Sequence, residues 1–180
     1  MGKKIIVLNG SPRKNGNTSA LVKAFREGAE SAGHTVTEFW LGGMKINGCR
    51  GCCAGGKNPE SPCVQKDDFD IVRGRLVDAD MIVFATPVYY FGVSAQLKTV
   101  VDRFYSIHGK LGGKKCALIS VFGNPSSKTA EPAVAMYRAM TAFLGWEDMG
   151  MILAAGVCAK GDVLSTDYGR QAYEMGRNIK

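Results

Sequence analysis

Short apolar runs alternate along this chain with longer stretches in which apolar residues return every third or fourth position. Ile5-Ile6-Val7-Leu8 is the first run, and Leu21, Phe25, Ala29 and Ala32 make one helical stripe behind it. Carried along the chain, the two rhythms predict strands over 4–8, 35–40, 81–86, 115–122 and 148–155. They predict helices over 17–32, 67–78, 94–105, 129–144 and 165–180. Ala133, Met136, Tyr137, Met140 and Leu144 mark the clearest helical face, a stripe that reads as core packing. Gly33 and Gly145 follow their helices where a left-handed cap is wanted. Five strands alternating with five helices predict an α/β fold, a parallel sheet covered on both faces. The run at 81–86 is apolar at almost every position, as a strand covered on both sides should be. In such sheets ligands sit beyond the carboxyl ends of the strands.

The segment LNGSPRKNGNTSALV, residues 8–22, joins the first strand to the first helix. Ser11, Asn17, Thr18 and Ser19 offer donors, and Arg13 offers a planar charged fork. The free amides and the dipole of a helix N-terminus add to an anion site. Asn17 or Thr18 could serve as a plain helix cap, yet capping leaves Arg13 and the long polar loop without a reason. Known nucleotide loops fit poorly. Five residues separate Gly10 and Gly16 where a P-loop has four followed by Lys, and G-x-G-x-x-G is absent. A receiver domain needs carboxylates after the first strand, where Asn9 and Gly10 stand. The loop therefore reads as a holder of a terminal phosphate monoester, without metal.

Composition narrows the classes. With 180 residues the chain is expected to form one domain spanning 1–180, long enough to bury about 70% of its unfolded surface. No apolar run approaches the ~20 residues of a membrane helix, and the opening MGKKIIVLNG turns polar too soon for a signal peptide. A cytoplasmic protein without a membrane partner is expected. The net charge of +7 is spread from Lys3 to Lys180 with no dense run, so no nucleic-acid partner is expected. No Ser/His/Asp arrangement points to hydrolysis. His34 and His108 read as solvated loop residues rather than catalysts.

Together, NGSPRKNGNT at 9–18 and KDDFDIVRGRLVDADMIVFATPVYYFGVSAQLKTVVDRF at 66–104 resemble the flavodoxin-like NAD(P)H-dependent FMN reductases, nearest to their iron–sulfur flavoprotein branch. The resemblance implies a flavodoxin-like, doubly wound, five-stranded parallel sheet of order 2-1-3-4-5. It implies that Ser11, Arg13, Asn17, Thr18 and Ser19 surround the phosphate of FMN. The loop Pro87, Val88, Tyr89, Tyr90, Phe91 and Gly92 would then lie along the flavin ring, with Gly123 and Asn124 a looser match to the remaining flavin-side loop. Apolar and aromatic neighbours suit a flat aromatic ligand. The same tyrosines could instead be core or a subunit contact. NAD(P)H as co-substrate, a small-molecule acceptor such as a quinone, nitroaromatic or free flavin, and a homodimer or homotetramer are further implications. A flavodoxin-type electron carrier, a two-centre iron–sulfur flavoprotein and a non-enzymatic flavin module remain alternatives.

The cysteines divide in two. Cys116 and Cys158 stand in apolar contexts and read as inert core residues. Cys49, Cys52, Cys53 and Cys63 share one loop-like segment, CRGCCAGGKNPESPC. The iron–sulfur branch uses C-x2-C-x2-C and a later fourth Cys as thiolate ligands. Here Gly55 holds the third place and Cys53 stands one residue after Cys52. The residues leave open a vestigial or redox-sensitive loop near the flavin, capped by Gly55-Gly56 and ordered by oligomer contacts, a cluster or metal site, and a functional disulfide or reactive thiol. No metal ligand is assigned.

Overall fold

The computed structural model describes residues 2–55, 57–58 and 62–180; Gly56, half of the expected Gly55-Gly56 closure, lies outside them. Strands β1 (Lys4–Asn9), β2 (Thr35–Trp40), β3 (Met81–Tyr89), β5 (Lys115–Val121) and β6 (Glu147–Ala154) form a parallel sheet of order β2-β1-β3-β5-β6. Counting only these five, that is the order 2-1-3-4-5. Asn9 pairs with Ala85, and Pro87 with Val121, so the chain leaves β1, β3 and β5 at one edge of the sheet. The two-residue strand β4 (Gly92–Val93) turns back antiparallel on β3, a hairpin the periodicity did not predict. Pro87 reads as a strand end, but beyond Ala85 β3 has lost β1 as a neighbour, and a residue without an N–H can be carried there.

Alternation in the strands sorts the core into two layers. Ile5, Val7, Met81, Val83 and Ile119 face helices α1 (Asn17–Ser31) and α5 (Tyr168–Arg177). Ile6, Leu8, Ile82, Phe84 and Leu118 face α2 (Phe69–Asp78), α3 (Ala95–Arg103) and α4 (Glu131–Phe143). On that second face Phe84 lies 5.9 Å from Tyr137 and 6.0 Å from Trp146 between ring centroids. The α1 stripe is built from Leu21, Val22, Phe25, Gly28 and Ala29, while Ala32 falls on the exposed C-cap. Gly33 and Gly145 take the left-handed conformation expected of them, with φ of 84° and 66°.

Two readings change. Cys158 is exposed, because β6 stops at Ala154 and the chain turns away at Gly156, whereas Cys116 is buried beneath Tyr137. Burial pushes the Cys116 thiol up to about 11, so it is an inert core group. His34 is more than a solvated loop residue. Its Nδ1 accepts from the Lys3 amide at 3.0 Å, and its Nε2 lies 3.1 Å from the Ile179 carbonyl, tying the two chain ends together.

The cysteine segment is closed at its base by one buried ion pair. Arg103, on the last turn of α3, donates to Asp67 at 3.0 and 3.2 Å and to the Asn47 carbonyl at 2.9 Å. The two side chains are 1% and 6% exposed. Burial alone would raise the Asp67 carboxyl. Hydrogen bonds from Arg103 and the amides of Asn47 and Phe69, with the charge of Arg103, hold it below the usual carboxylate range. Removing either partner leaves an uncompensated buried charge, a loss of about 3–5 kcal/mol.

Helices α1 and α5 touch through glycine. A Cβ on Gly176 would fall 2.1 Å from the Phe25 carbonyl oxygen, and one on Gly28 would fall 1.9 Å from that of Tyr173. On the same helix α5, a Cβ on Gly169 meets open space. Gly176→Ala is therefore expected to destabilise the fold by about 1–3 kcal/mol through overpacking. Gly169→Ala should stabilise it by about 0.5–1 kcal/mol through helix propensity. Urea unfolding of the two variants reads the difference, and equal shifts in one direction would contradict the glycine contact.

Candidate functional site

At the end of β1 the chain passes through Gly10, where a Cβ would lie 2.5 Å from Ser94 Oγ and 2.7 Å from Leu97 Cβ. Only glycine leaves room for that approach. The loop that follows is held in shape by its own polar groups. Asn9 Oδ1 accepts from the Ser11 amide at 3.1 Å, and the Ser11 hydroxyl donates to the Arg13 carbonyl while accepting from the Arg13 amide. Asn9 Nδ2 donates to Ser19 Oγ and to Glu38, and Trp40 Nε1 donates to the Ser11 carbonyl.

The start of α1 carries no side-chain cap. Gly16 occupies the cap position, so neither Asn17 nor Thr18 serves as the plain cap. The side chain of Asn17 is committed elsewhere, donating to the Ala159 carbonyl at 2.7 Å and accepting from the Gly161 amide at 2.8 Å. It locks the loop after β6 beside the helix end. The amides of Asn17, Thr18 and Ser19 have no acceptor among the described residues. Such first-turn amides have no partner inside the helix, and they carry its positive dipole end. Arg13 stands exposed next to them with no side-chain partner among the described residues, and the buried Thr18 hydroxyl is likewise uncommitted. The arrangement is an open donor cluster of positive potential.

The β3–β4 hairpin rises from the neighbouring strand. Pro87 is buried and Val88 half-buried, while Tyr89, Tyr90 and Phe91 project from the protein, Tyr90 completely. Tyr90 and Phe91 form the two-residue turn with φ of 46° and 67°. A primed hairpin turn requires positive φ at both places, usually supplied by Asn-Gly. Two aromatic residues in this conformation are costly, and such strain gathers at ligand sites. Gly92 pairs back with Tyr89. The third loop follows β5. Gly123 packs on Cys158, where a Cβ would lie 3.2 Å from the Cys158 Cβ. The Asn124 side chain accepts from the Ser126 amide at 2.8 Å, and the Asn124 carbonyl accepts from Gly156.

Ser94 joins the first two loops. Completely buried, it donates its hydroxyl to the Gly10 carbonyl at 2.7 Å, accepts from the Leu97 amide as the cap of α3, and sends its own amide to Thr86 Oγ1 at 2.9 Å. Sequence reasoning saw Ser94 only as a helix start and missed Asn9, Trp40 and Thr86. Their one signal was position, at or just beyond strand ends. His34 lies beside Lys3 and Ile179, and His108 stacks on Phe143, so both are tied to the opposite edge of the sheet. Away from this edge, Cys49, Cys52, Cys53 and Cys63 line a cavity of about 500 Å³ with Arg103 and Tyr105.

These features meet the demands of FMN. Free amides and Arg13 suit a dianionic phosphate, and an exposed aromatic hairpin on the adjoining strand suits a flat ring. A Cβ on Gly16 would crowd the Arg13 Cβ at 3.2 Å, so a larger residue would narrow the cradle.

Comparison with known proteins bears on the same point. The profile of the NADPH-dependent FMN reductases matches residues 3–156. An iron–sulfur flavoprotein of Archaeoglobus fulgidus is 34% identical over 178 residues, covering 98% of this chain and 78% of that protein. A Bacillus subtilis protein named as an NAD(P)H-dependent, FMN-containing oxidoreductase is 27% identical over 170 residues, covering 89% of each. Among solved structures, the NAD(P)H:quinone oxidoreductase of Methanothermobacter marburgensis shares the fold with a TM-score of 0.78, at 20% identity and over 99% of this chain and 96% of that one. The chain belongs to the NADPH-dependent FMN reductase family, as an FMN- and NAD(P)H-dependent oxidoreductase on the side of that family where the iron–sulfur flavoproteins lie.

Proposed function

We propose that this protein catalyses the two-electron reduction of a quinone-type acceptor by NAD(P)H, with FMN held at the β1–β3–β5 edge. The observation that carries the placement is the uncapped start of α1, with three free amides beside an uncommitted Arg13. When bound, FMN supplies the hydride chemistry, accepting from the nicotinamide and passing the equivalents on. In balance, NAD(P)H, one proton and the quinone give NAD(P)⁺ and the hydroquinone.

The chain's own residues bind and orient. The Asn17, Thr18 and Ser19 amides, the Thr18 hydroxyl and Arg13 hold the phosphate. Ser11 and the Asn17 side chain keep the loop in shape. Pro87, Val88 and Tyr89 to Gly92 offer the ring a wall, with Gly123 and Asn124 on the neighbouring strand end. No side chain is assigned as acid or base. A quinone is favoured as acceptor because the exposed aromatic hairpin presents flat apolar faces to a second flat molecule. A homodimer or homotetramer is part of this reading, since Tyr89, Tyr90 and Phe91 stand exposed side by side at the tip of one hairpin.

Three outcomes test the proposal. The protein should release FMN rather than FAD on denaturation, and NAD(P)H should bleach its flavin absorbance with recovery on adding a quinone. Arg13→Ala should weaken FMN binding by about 1.5–3 kcal/mol, the range for a hydrogen bond to a charged group. An unchanged affinity, measured by flavin fluorescence on a folded variant, would remove Arg13 from the site. Sedimentation at micromolar concentration should give a dimer or larger, and a monomer with FMN bound would exclude self-association through the hairpin.

A further inference from the structure

Relatives named iron–sulfur flavoproteins imply a second group, a four-iron cluster, in the cysteine segment. Such a cluster takes one thiolate per iron, four in all. Cys49 and Cys52 stand at the right spacing for the first two, and Cys63 follows later in the chain. The third place is Gly55. A Cβ there would fall 2.7 Å from Tyr105 Cδ1, 2.9 Å from Tyr105 Cε1 and 3.0 Å from Ser106 Cα. Real Cβ atoms essentially never approach a ring that closely, so the Tyr105 side chain would have to move, whereas the Ser106 contact calls for a shift of only a few tenths of an ångström.

Cys53 does not fill the third place. Cys53 has a φ of 52°, and its Sγ lies 3.6 Å from the Gly51 carbonyl, turned onto its own loop. Cys63 is buried in the cavity wall beside Arg103. Among the described residues, no three cysteine, histidine or acidic side chains come close enough to hold a metal ion. Arg103, in the cavity wall, is held by its buried pair with Asp67.

We infer that this chain carries no four-iron cluster, because Gly55 supplies no thiolate at the third ligand place and the Tyr105 ring stands where a side chain there would go. The Tyr105 ring closes the third ligand place, and the four cysteines of the segment remain thiols lining the cavity. The chain is then a one-centre member of a branch named for two. This rests on the flavin reading above, in which FMN then hands its electrons to the acceptor with no iron centre between them.

The test reads iron, and does not depend on where FMN binds. Wild type, Gly55→Cys and the double variant Gly55→Cys/Tyr105→Ala are purified anaerobically and incubated with ferrous iron, sulfide and a thiol reductant. Iron and acid-labile sulfide are counted per chain, and dithionite-reduced samples are examined by electron paramagnetic resonance. Tyr105 is 56% exposed, so its loss should leave the fold intact, as circular dichroism will check. Wild type and Gly55→Cys should hold far less than one iron per chain. The double variant should gain about four irons and four sulfides with a cluster signal. Near four irons in wild type, lost in Cys49→Ser, would overturn the inference. A cluster in Gly55→Cys alone, or none in the folded double variant, would overturn the part assigned to Tyr105. An FMN-free protein with this iron pattern would sink the flavin placement and leave the inference standing.

Discussion

The buried hydroxyl of Ser94 is the joint on which the candidate site rests. It satisfies the Gly10 carbonyl and the first turn of α3 together, and its amide is satisfied by Thr86. Buried polar groups must be paired, so each of these three partners constrains the others. The result couples the donor loop after β1 to the base of the aromatic hairpin after β3. Gly10 is part of the same joint, since any side chain there would strike Ser94 and Leu97. A ligand spanning the two loops thus meets a surface whose parts are already set relative to one another.

Order and strain are distributed unevenly around this joint. The loop after β1 is dense with internal hydrogen bonds, while the first amides of α1 are left without an acceptor among the described residues. The hairpin, by contrast, places Tyr90 and Phe91 in a conformation that disfavours bulky side chains and leaves them in solvent. Neither choice improves the stability of the isolated chain. Both are understandable where a phosphate and a flat ring, or a second subunit, complete the surface.

Much of this was legible in the residues. The strand and helix rhythm predicted the five parallel strands, because buried strands and amphipathic helices must announce their faces locally. The donor loop was legible because its residue types stand together in sequence. What was not legible depended on contacts between distant segments. The β3–β4 hairpin lacks the usual Asn-Gly turn, so Tyr90-Phe91 gave no signal. Asn17 looked like a phosphate ligand or a cap, yet its side chain is spent on Ala159 and Gly161, more than 140 positions away. Cys158 looked like core until the turn at Gly156 carried it outside. Gly55 could be recognised as a missing cysteine, but its closure by Tyr105 required the fold.

The central claim is that one edge of the sheet, organised by Ser94, receives FMN with its phosphate at the start of α1. Amide chemical-shift mapping on the ¹⁵N-labelled protein during FMN titration tests it most directly. The account predicts the largest shifts at the amides of Asn17, Thr18 and Ser19 and along Val88 to Gly92, with Lys3, His34 and the cysteine segment little changed. Shifts gathered at the cysteine cavity or the opposite edge, with the three α1 amides unmoved, would contradict it.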